Sequence, residues 1–329
     1  MGLHFRWTSE DEPGVTWRRR FERAWPSYRA WFLREGNDAR PDLDTCRARL
    51  ADSMPEMVPL WERLCDEAGA DDEAARMLSL YRPTPFMSGC TQAVVGGSAP
   101  ALVRNYDYHP HRCEATFART TWAGTTVVAS LDCLWGVLDG INEHGLTVAL
   151  SFGGTPEVGD GFGIPLILRY VLETCTDVAE ACAVLRRVPS HMTYSVSVVD
   201  AAGDYALVYL RPGAETEVVH QAVSANHQHR IEWSAYASST RSVEREERAR
   251  AALAEASDVD ELVAAFLEPP LFATEYARWF GTLYTVAYRP GERSVEVVWP
   301  GAAVPQTVDD FRERELEVPY PVDDARGVG

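Results

Sequence analysis

Cys90 is the residue whose position points most directly to chemistry. It follows Gly89 at the start of a β-rich stretch. Because glycine has no Cβ, a neighbouring group can approach its carbonyl closely, and a thiol placed here can attack that carbonyl. Transfer of the acyl group to sulfur, followed by hydrolysis, would leave Cys90 as a new amino terminus. Its α-amino group, with a reference pKa of about 7.7–8.0, would then serve as general base for the adjacent thiol.

A simpler interpretation competes with this one. Cysteine is among the most frequently buried residue types, and a free cysteine in a cytosolic protein is commonly an inert core residue. The position of Cys90 alone does not decide between a nucleophile and a core residue. The decision therefore depends on the residues that accompany it.

The composition excludes several other kinds of chemistry. The sequence contains no lysine, so all 31 basic residues are arginines, and lysine Schiff bases, pyridoxal phosphate aldimines and P-loop lysines are ruled out. A formal net charge of −18 repels phosphate backbones and anionic lipids, so we expect neither nucleic acid nor a membrane as partner. We also expect no cofactor.

Cysteine usage and the amino terminus indicate the compartment. The seven cysteines form no CxxC pair, which fits a reduced cytoplasm and argues against a disulfide framework or a structural metal site. The first residues lack the apolar core of a signal peptide. We therefore expect a cytoplasmic protein without bound metal.

The elements that must position Cys90 follow from hydrophobic periodicity. Helical spacing covers residues 15–82, and short β-rich runs with glycine-containing turns begin at Met87. Helical patterns return at residues 164–189 and 240–267, each followed by further strands. This order predicts an α+β fold with antiparallel sheets and helices outside them. The acidic tail after residue 305 is predicted to be loosely held.

Short motifs spread over residues 86–300 occur in the order of a known group of enzymes. They are Gly89-Cys90-Thr91, VRNYDY at 103–108, GINEHGLTV at 140–148, a helical pair at 164–188, Ala225-Asn226-His227, SSTR at 238–241, and a closing hairpin at 281–300. Together they resemble the choloylglycine hydrolase and acyl-CoA:6-aminopenicillanate acyltransferase group of N-terminal-nucleophile (Ntn) hydrolases. The helical lead resembles the acyltransferase branch (peptidase C45), in which a propiece is retained as a small subunit.

This resemblance implies a domain organisation. Residues 90–305 would form an αββα Ntn-hydrolase sandwich. Residues 1–89 would be a helical propiece, whose peptide link to the sandwich is broken by cleavage between Gly89 and Cys90. Residues 306–329 would be a C-terminal tail.

The resemblance also implies roles for residues around the thiol, and their chemistry agrees. Asp107 would orient the new ammonium group or accept a hydrogen bond from it. Arg104 shares a strand face with Tyr106 and would hold the site or a carboxylate of the substrate. Asn226 would donate a side-chain N–H to the oxyanion of the tetrahedral intermediate.

Two further positions are carried over from the resemblance. The backbone N–H of Ser151 would be the second oxyanion donor, and Arg241 would tie its loop to the site by a salt bridge. Aromatic residues are candidates to line an acyl pocket, although such residues are more often core; they are Tyr106, Trp135, Phe152, Trp233 and Tyr236.

The sequence departs from the group at two of its positions. Ser88 stands where the acyltransferase branch commonly has aspartate before Gly-Cys, and Ser151 stands where many relatives have asparagine. The second change keeps the backbone donor but removes a side-chain amide. For this reason the relatives' substrates do not transfer to this chain.

The sequence therefore predicts a self-processing cysteine amidohydrolase or N-acyltransferase acting on a small non-peptide amide or thioester through an acyl-Cys90 intermediate. Water as acceptor would make it an amidase and an amine would make it an acyltransferase; the sequence does not choose. Two alternatives stay open. One is an unprocessed, catalytically silent binding protein of the same fold, and the other is a hydrolase that pairs Cys90 with a histidine such as His227, without cleavage. Homo-oligomerisation is also left open.

Overall fold

The computed structural model describes residues 2–276 and 280–321. The helices in this part of the chain are α1 (Val15–Phe32), α2 (Leu43–Ser53), α3 (Val58–Ala68), α4 (Asp72–Leu78), α5 (Ile164–Thr174), α6 (Val178–Arg187), α7 (Ser234–Ser239), α8 (Ser242–Glu255) and α9 (Val259–Phe266). None of these helices has the length and apolar content needed to cross a bilayer.

The strands alternate with short turns. They are β1 (Gly2–Glu10), β2 (Gly89–Val95), β3 (Ala101–Tyr108), β4 (Thr116–Thr120), β5 (Val127–Asp132), β6 (Gly136–Asn142), β7 (Thr147–Phe152), β8 (Tyr194–Val199), β9 (Tyr205–Leu210), β10 (Glu217–Val219), β11 (Val223–Ser224), β12 (Gly281–Arg289), β13 (Ser294–Trp299), β14 (Ala302–Thr307) and β15 (Arg314–Pro319).

These strands form two sheets. The larger has nine strands in the order β10-β9-β8-β7-β6-β5-β4-β1-β15, and the smaller has six in the order β11-β2-β3-β12-β13-β14. All neighbours are antiparallel except β1 and β4. Antiparallel neighbours can be joined by tight hairpins, which is why short glycine-containing turns connect most of them.

The two sheets pack face to face, and helices cover their outer faces. Strand β2 of the small sheet lies against β7 of the large one, where Gln92 Nε2 donates to Ser151 Oγ at 2.8 Å. Helices α5 and α6 pack on the large sheet, and α8 and α9 pack on the small one. The predicted α+β class and αββα sandwich are confirmed. A sandwich of this kind buries both faces of its central strands, and β2 and β3 are buried along nearly their whole length.

The first 88 residues differ from the expected helical lead in one respect. Helices α1 to α4 occupy the predicted region, but β1 precedes them and joins the large sheet beside β4. Its inward-facing Phe5 and Trp7 are buried, and the Phe5 ring lies 4.8 Å from that of Trp299 in the sandwich core. The residues ahead of Cys90 therefore contribute a strand to the sandwich as well as helices.

The expectation of a loosely held tail after residue 305 is wrong for the described residues up to 321. Strand β15 pairs antiparallel with β1, from Gly2 opposite Pro319 to Trp7 opposite Arg314. Its alternating sequence RELEVP places charged residues in solvent and Val318 in the core, which is a strand pattern. Residues 322–329 of the predicted tail lie outside the described residues.

Candidate active site

The Gly89–Cys90 bond lies inside the sandwich at the start of β2. Cys90 is fully buried and faces Tyr106 across the β2–β3 ladder, while Gly89 faces Asp107. A Cβ at position 89 would lie 2.8 Å from the Phe280 ring and 3.0 Å from the Asp107 Cβ. Both distances are shorter than ordinary side-chain contacts, so the two side chains would have to move to admit a larger residue at position 89.

The side chain of Asn226 holds the chain on both sides of Gly89. Its Oδ1 accepts the N–H of Cys90 at 2.9 Å, and its Nδ2 donates to the carbonyl of Ser88 at 3.3 Å. The orientation of the amide follows from its partners, because the Arg245 guanidinium also donates to Oδ1, at 2.8 Å. Asn226, the predicted oxyanion donor, therefore contacts the nitrogen of the Gly89–Cys90 bond.

Arg245 is a functional residue that the sequence reasoning missed. Its Nη1 donates to the carbonyl of Cys90 at 2.7 Å, to Thr91 Oγ1 at 2.6 Å and to Asp107 Oδ2 at 3.2 Å. The side chain is 1% exposed. A single buried guanidinium thus joins the nucleophile's main chain, Asp107 and the Asn226 amide.

The prediction that Arg241 ties its loop to the site is wrong. Arg241 is exposed, has a left-handed φ of 52°, and pairs with Glu244 on the first turn of α8. Helical spacing could have distinguished the two arginines. Arg245 shares one face of α8 with the buried Ala249 and Ala252, at intervals of four and three residues, and that face packs on β2.

Asp107 is buried directly beside Gly89. Thr282 Oγ1 donates to its Oδ1 at 2.7 Å, and Arg245 forms a salt bridge with its Oδ2. Burial raises the pKa of this carboxyl, and Arg245 and Thr282 act in the opposite direction. The Asp107 carboxylate thus binds Arg245 and Thr282. The backbone nitrogen of Cys90, which cleavage of the Gly89–Cys90 bond would free, is held by Asn226.

Arg104 contacts the thiol itself. Its Nη2 lies 3.3 Å from Cys90 Sγ, and its guanidinium carbon lies 4.9 Å from the centroid of the Tyr106 ring. Burial raises the pKa of the Cys90 thiol, the Arg104 cation lowers it, and nearby Asp107 raises it, with the pKa above its ordinary value on balance. The uncleaved protein therefore holds a thiol beside a cation that favours the thiolate.

A buried carboxylate anchors Arg104. Asp139 forms an ion pair with its Nη1, and both groups are fully buried. Tyr284 donates to the same carboxylate at 2.7 Å, and Tyr288 donates to its other oxygen. No role was predicted for Asp139. Its strand, GVLDGIN, has the pattern of a buried core strand, and only the packing of the two sheets brings the Asp139 carboxylate to Arg104.

Three of the predicted aromatic residues form a cluster that reaches the Ser88 carbonyl through Tyr236. The Tyr236 hydroxyl donates to that carbonyl at 2.7 Å. Its ring lies 5.1 Å from that of Phe152 and 5.2 Å from that of Trp233, and Asn226 Nδ2 also donates to the Phe152 carbonyl at 3.1 Å. These three residues form an apolar wall next to the bond.

The remaining predicted residues are distributed differently. Tyr106 lies under the thiol, as its register with Cys90 requires. Ser151 is buried on β7, where its hydroxyl binds Gln92. Trp135 lies outside the aromatic wall, because its ring N–H donates to the Leu78 carbonyl at the end of α4, at 2.9 Å.

Together these groups can perform nucleophilic acyl chemistry. The Cys90 thiol lies beside the Arg104 cation. The Asn226 side-chain carbonyl accepts the Cys90 N–H, and the Asn226 amide N–H donates to the Ser88 carbonyl, on the acyl side of the Gly89–Cys90 bond. All of them are withdrawn from water, where hydrogen bonds and charges act more strongly than in solvent.

Comparison with known proteins agrees with this geometry. A family model described as acyl-coenzyme A:6-aminopenicillanic acid acyl-transferase matches residues 94–303, which is more than half of the chain and begins just after Cys90. No curated relative was found by sequence comparison.

Several solved structures are similar at low identity. Penicillin V acylase from Agrobacterium tumefaciens is 18% identical over 66% of this chain and 84% of that chain, with a TM-score of 0.46. A mutant conjugated bile acid hydrolase from Clostridium perfringens is 12% identical over 72% and 99%, with a TM-score of 0.47. The Caenorhabditis elegans ortholog of N-acylethanolamine-hydrolyzing acid amidase is 16% identical over 70% and 100%, with a TM-score of 0.48.

Proposed function

Because the chain belongs to the acyl-coenzyme A:6-aminopenicillanic acid acyl-transferase family, we propose that it is an enzyme that cleaves its own Gly89–Cys90 bond and then uses Cys90 as an amino-terminal nucleophile. The observation that carries this proposal is the bridging of the bond by Asn226, which binds the Cys90 N–H and the Ser88 carbonyl.

The proposed cleavage begins with attack of the Cys90 sulfur on the carbonyl carbon of Gly89. The C–N bond breaks, the former thiol proton goes to the departing nitrogen, and the acyl group is held on sulfur as a thioester. Water then attacks the thioester, which gives a carboxylate at Gly89 and a free thiol at Cys90. Arg104 supports the first step because its cation stabilises negative charge on the sulfur.

Cleavage would reassign the hydrogen bonds of Asn226. Its Oδ1, which binds the Cys90 N–H in the uncleaved chain, would hold the new amino group in place. Its Nδ2 would lose the Ser88 carbonyl once the released end withdraws, and would become free for a substrate oxyanion. The backbone N–H of Ser151 would be the second donor. One oxyanion donor of this kind typically stabilises the transition state by about 2.7–4 kcal/mol.

The mature reaction would run through an acyl-enzyme. The thiolate attacks the carbonyl of an amide or thioester, the oxyanion is held by Asn226, and the α-ammonium group of Cys90 protonates a leaving amine. The same amino group then takes a proton from the acceptor as it attacks the thioester. Water as acceptor gives hydrolysis, and an amine gives acyl transfer.

The surroundings of the bond favour a substrate with an apolar acyl group. Tyr236 contacts the Ser88 carbonyl, and the rings of Phe152 and Trp233 pack on Tyr236. Phe86 of the segment before the bond lies within ring contact of Tyr194. An acyl group that replaces this segment would meet the same rings. We therefore propose a small acyl amide or acyl thioester as substrate.

The leading segment, residues 1–89, is proposed to stay bound after cleavage. Its strand β1 lies between β4 and β15 in the large sheet. On α1, the Tyr28 hydroxyl contacts Asp132 at 2.8 Å and also Glu114, both in the part of the chain after the bond. Removing this segment would expose the core and leave two strands without their partner, so retention as a subunit is favoured.

The alternative of a Cys–His hydrolase receives no support from the position of His227. One ring nitrogen contacts Ser242 at 2.8 Å and the other contacts Glu246 at 2.6 Å, so both are already engaged. The alternative of a silent, unprocessed protein is left to experiment.

Intact mass spectrometry of the purified protein beside Cys90→Ala tests the proposal. We expect two fragments, residues 1–89 and 90–329, from the wild type and a single chain from the variant. A folded wild-type protein that stays uncleaved would overturn it. Cleavage of the variant at the same bond would also overturn it, since the thiol would then be unnecessary.

A further inference from the structure

Asn226 is held from behind by three side chains. Its backbone N–H donates to Ser242 Oγ at 2.8 Å. The same oxygen lies 2.8 Å from His227 Nδ1, and His227 Nε2 lies 2.6 Å from Glu246 Oε2. The chain Asn226–Ser242–His227–Glu246 is therefore continuous from the site to Glu246, one turn beyond Ser242 on α8.

The direction of these hydrogen bonds follows from the groups themselves. A carboxylate only accepts, so Nε2 of the imidazole carries the hydrogen that Glu246 receives. In a neutral ring Nδ1 is then an acceptor, and the Ser242 hydroxyl donates to it. The Ser242 oxygen keeps a lone pair for the N–H of Asn226, so every group in the chain is satisfied with one arrangement of hydrogens.

Serine, histidine and glutamate in this order are also the components of a nucleophilic triad. Ser242 does not act as a nucleophile here, because it is fully buried and its oxygen already accepts from Asn226. A substrate carbonyl cannot reach it. The chain ends on the main chain of the residue that bridges the Gly89–Cys90 bond, which points to a positioning role.

We propose that His227 is a positioning residue for Asn226, in self-cleavage and in the acyl chemistry. The proposal rests on the function proposed above. The imidazole accepts from the Ser242 hydroxyl, and the oxygen of that hydroxyl accepts the Asn226 N–H. Without the ring, the Ser242 hydroxyl loses its acceptor at a fully buried position, and the support of Asn226 is weakened.

A neighbouring histidine offers a control for the role of His227. His227 and His229 both line a polar cleft of about 170 Å³. The charged and titratable groups that face His227 are Glu246 and Arg250 on α8, with Tyr209 and His229 across the cleft; Glu217 lies behind them, paired with His229. The ring of His229 thus contacts Glu217, whereas the ring of His227 contacts Ser242.

The test follows cleavage of the full-length chain after cell-free synthesis, with the cleaved fraction read over time by intact mass. His227→Asn keeps an acceptor near the Nδ1 position, His227→Ala removes it, and Ser242→Ala breaks the chain. His229→Ala is the matched control, since this histidine lies in the same cleft and contacts Glu217 and not Ser242.

We expect His229→Ala and His227→Asn to cleave at close to the wild-type rate. His227→Ala and Ser242→Ala should cleave roughly tenfold more slowly, as loss of one positioning hydrogen bond implies. A wild-type rate in His227→Ala, or equal slowing of His227→Asn and His227→Ala, would overturn the inference while leaving self-cleavage intact. If His227→Ala fails to fold, Ser242→Ala takes its place in this comparison. A wild type that never cleaves would instead refute the proposed function, and this inference with it.

Discussion

Arg245 donates from Nη2 to Asn226 Oδ1 at 2.8 Å, and from Nη1 to the carbonyl of Cys90 at 2.7 Å. One rigid guanidinium thus fixes the Asn226 amide and the nucleophile's main chain relative to each other. Because the five donors of an arginine are fixed in one plane, this coupling is geometric as well as electrostatic. It is the relationship on which the site's precision depends.

Replacing Arg245 should therefore slow cleavage strongly. We expect Arg245→Gln to cleave at least about a hundredfold more slowly than the wild type, since a buried charged network loses its centre and Asp107 loses its salt bridge. The time course of fragment appearance on denaturing gels measures this. Arg241→Gln is the control, because that arginine is exposed and pairs with Glu244. Equal slowing in both variants would contradict the assignment.

Asn226→Ala should impair both reactions. Removal of an oxyanion donor typically costs about 10²–10³ in kcat, and in this site the same change also removes the acceptor of the Cys90 N–H. The cleavage rate of the precursor and turnover of any acyl amide found in a substrate panel should both fall. Normal turnover by an already cleaved Asn226→Ala sample would show that the oxyanion is held elsewhere.

Gly89→Ala should slow cleavage or lower stability. The added methyl group would lie 2.8 Å from the Phe280 ring and 3.0 Å from the Asp107 Cβ, so both side chains must give way beside the bond. Gly291→Ala, where an added Cβ meets no atom within 4 Å, is the matched control. Circular dichroism and intact mass report the two outcomes. A folded, fully cleaved Gly89→Ala protein would show that the close approach is unimportant.

Stability should fall as the pH rises through neutrality. Burial, and then the nearby Glu114, raise the pKa of Asp132 to about 7 in the folded chain, from an ordinary value of 3.8. The Tyr28 hydroxyl contacts both carboxyl groups and has one hydrogen, so it donates to only one of them at a time. The folded state therefore binds a proton that the unfolded state releases above its ordinary pKa, and stability is lost between that value and about 7.

Thermal unfolding between pH 5 and pH 8 measures this effect. Each unit of pKa difference is worth about 1.4 kcal/mol, and we expect a fraction of the total because Asp132 keeps part of its surface in solvent. Asp132→Asn should weaken the dependence without abolishing it, since burial also raises the pKa of Glu173 to about 7. A melting temperature that rises steadily from pH 5 to pH 8 would contradict the prediction.

Much of the site could be predicted from the sequence because its residues lie in short, ordered motifs. Cys90, Arg104 and Asp107 come together through one hairpin, β2–β3, whose register follows from the turn between the two strands. Asn226 was also predicted, although it comes from a distant loop, because the resemblance to a family supplied its role. The α+β class followed from the change of hydrophobic period along the chain.

What the sequence did not yield depends on packing between elements. Arg241 and Arg245 lie one turn apart on a charge-rich helix, and only the face that α8 turns toward β2 separates them. Strand β1 and the end of the chain were missed because their pairing partners are distant in sequence: β1 pairs with β4 and β15, and β15 pairs with β1. Trp135 was assigned to the pocket from residue type alone, while its position is set by α4.

The central claim is that Cys90 acts with its own free amino group, and sequencing of the amino termini in an active preparation tests it most directly. The account predicts that the large fragment begins Cys90-Thr91-Gln92, and that blocking its amino group abolishes acyl turnover while the thiol stays titratable. An active preparation in which the peptide bond between Gly89 and Cys90 is intact would contradict it.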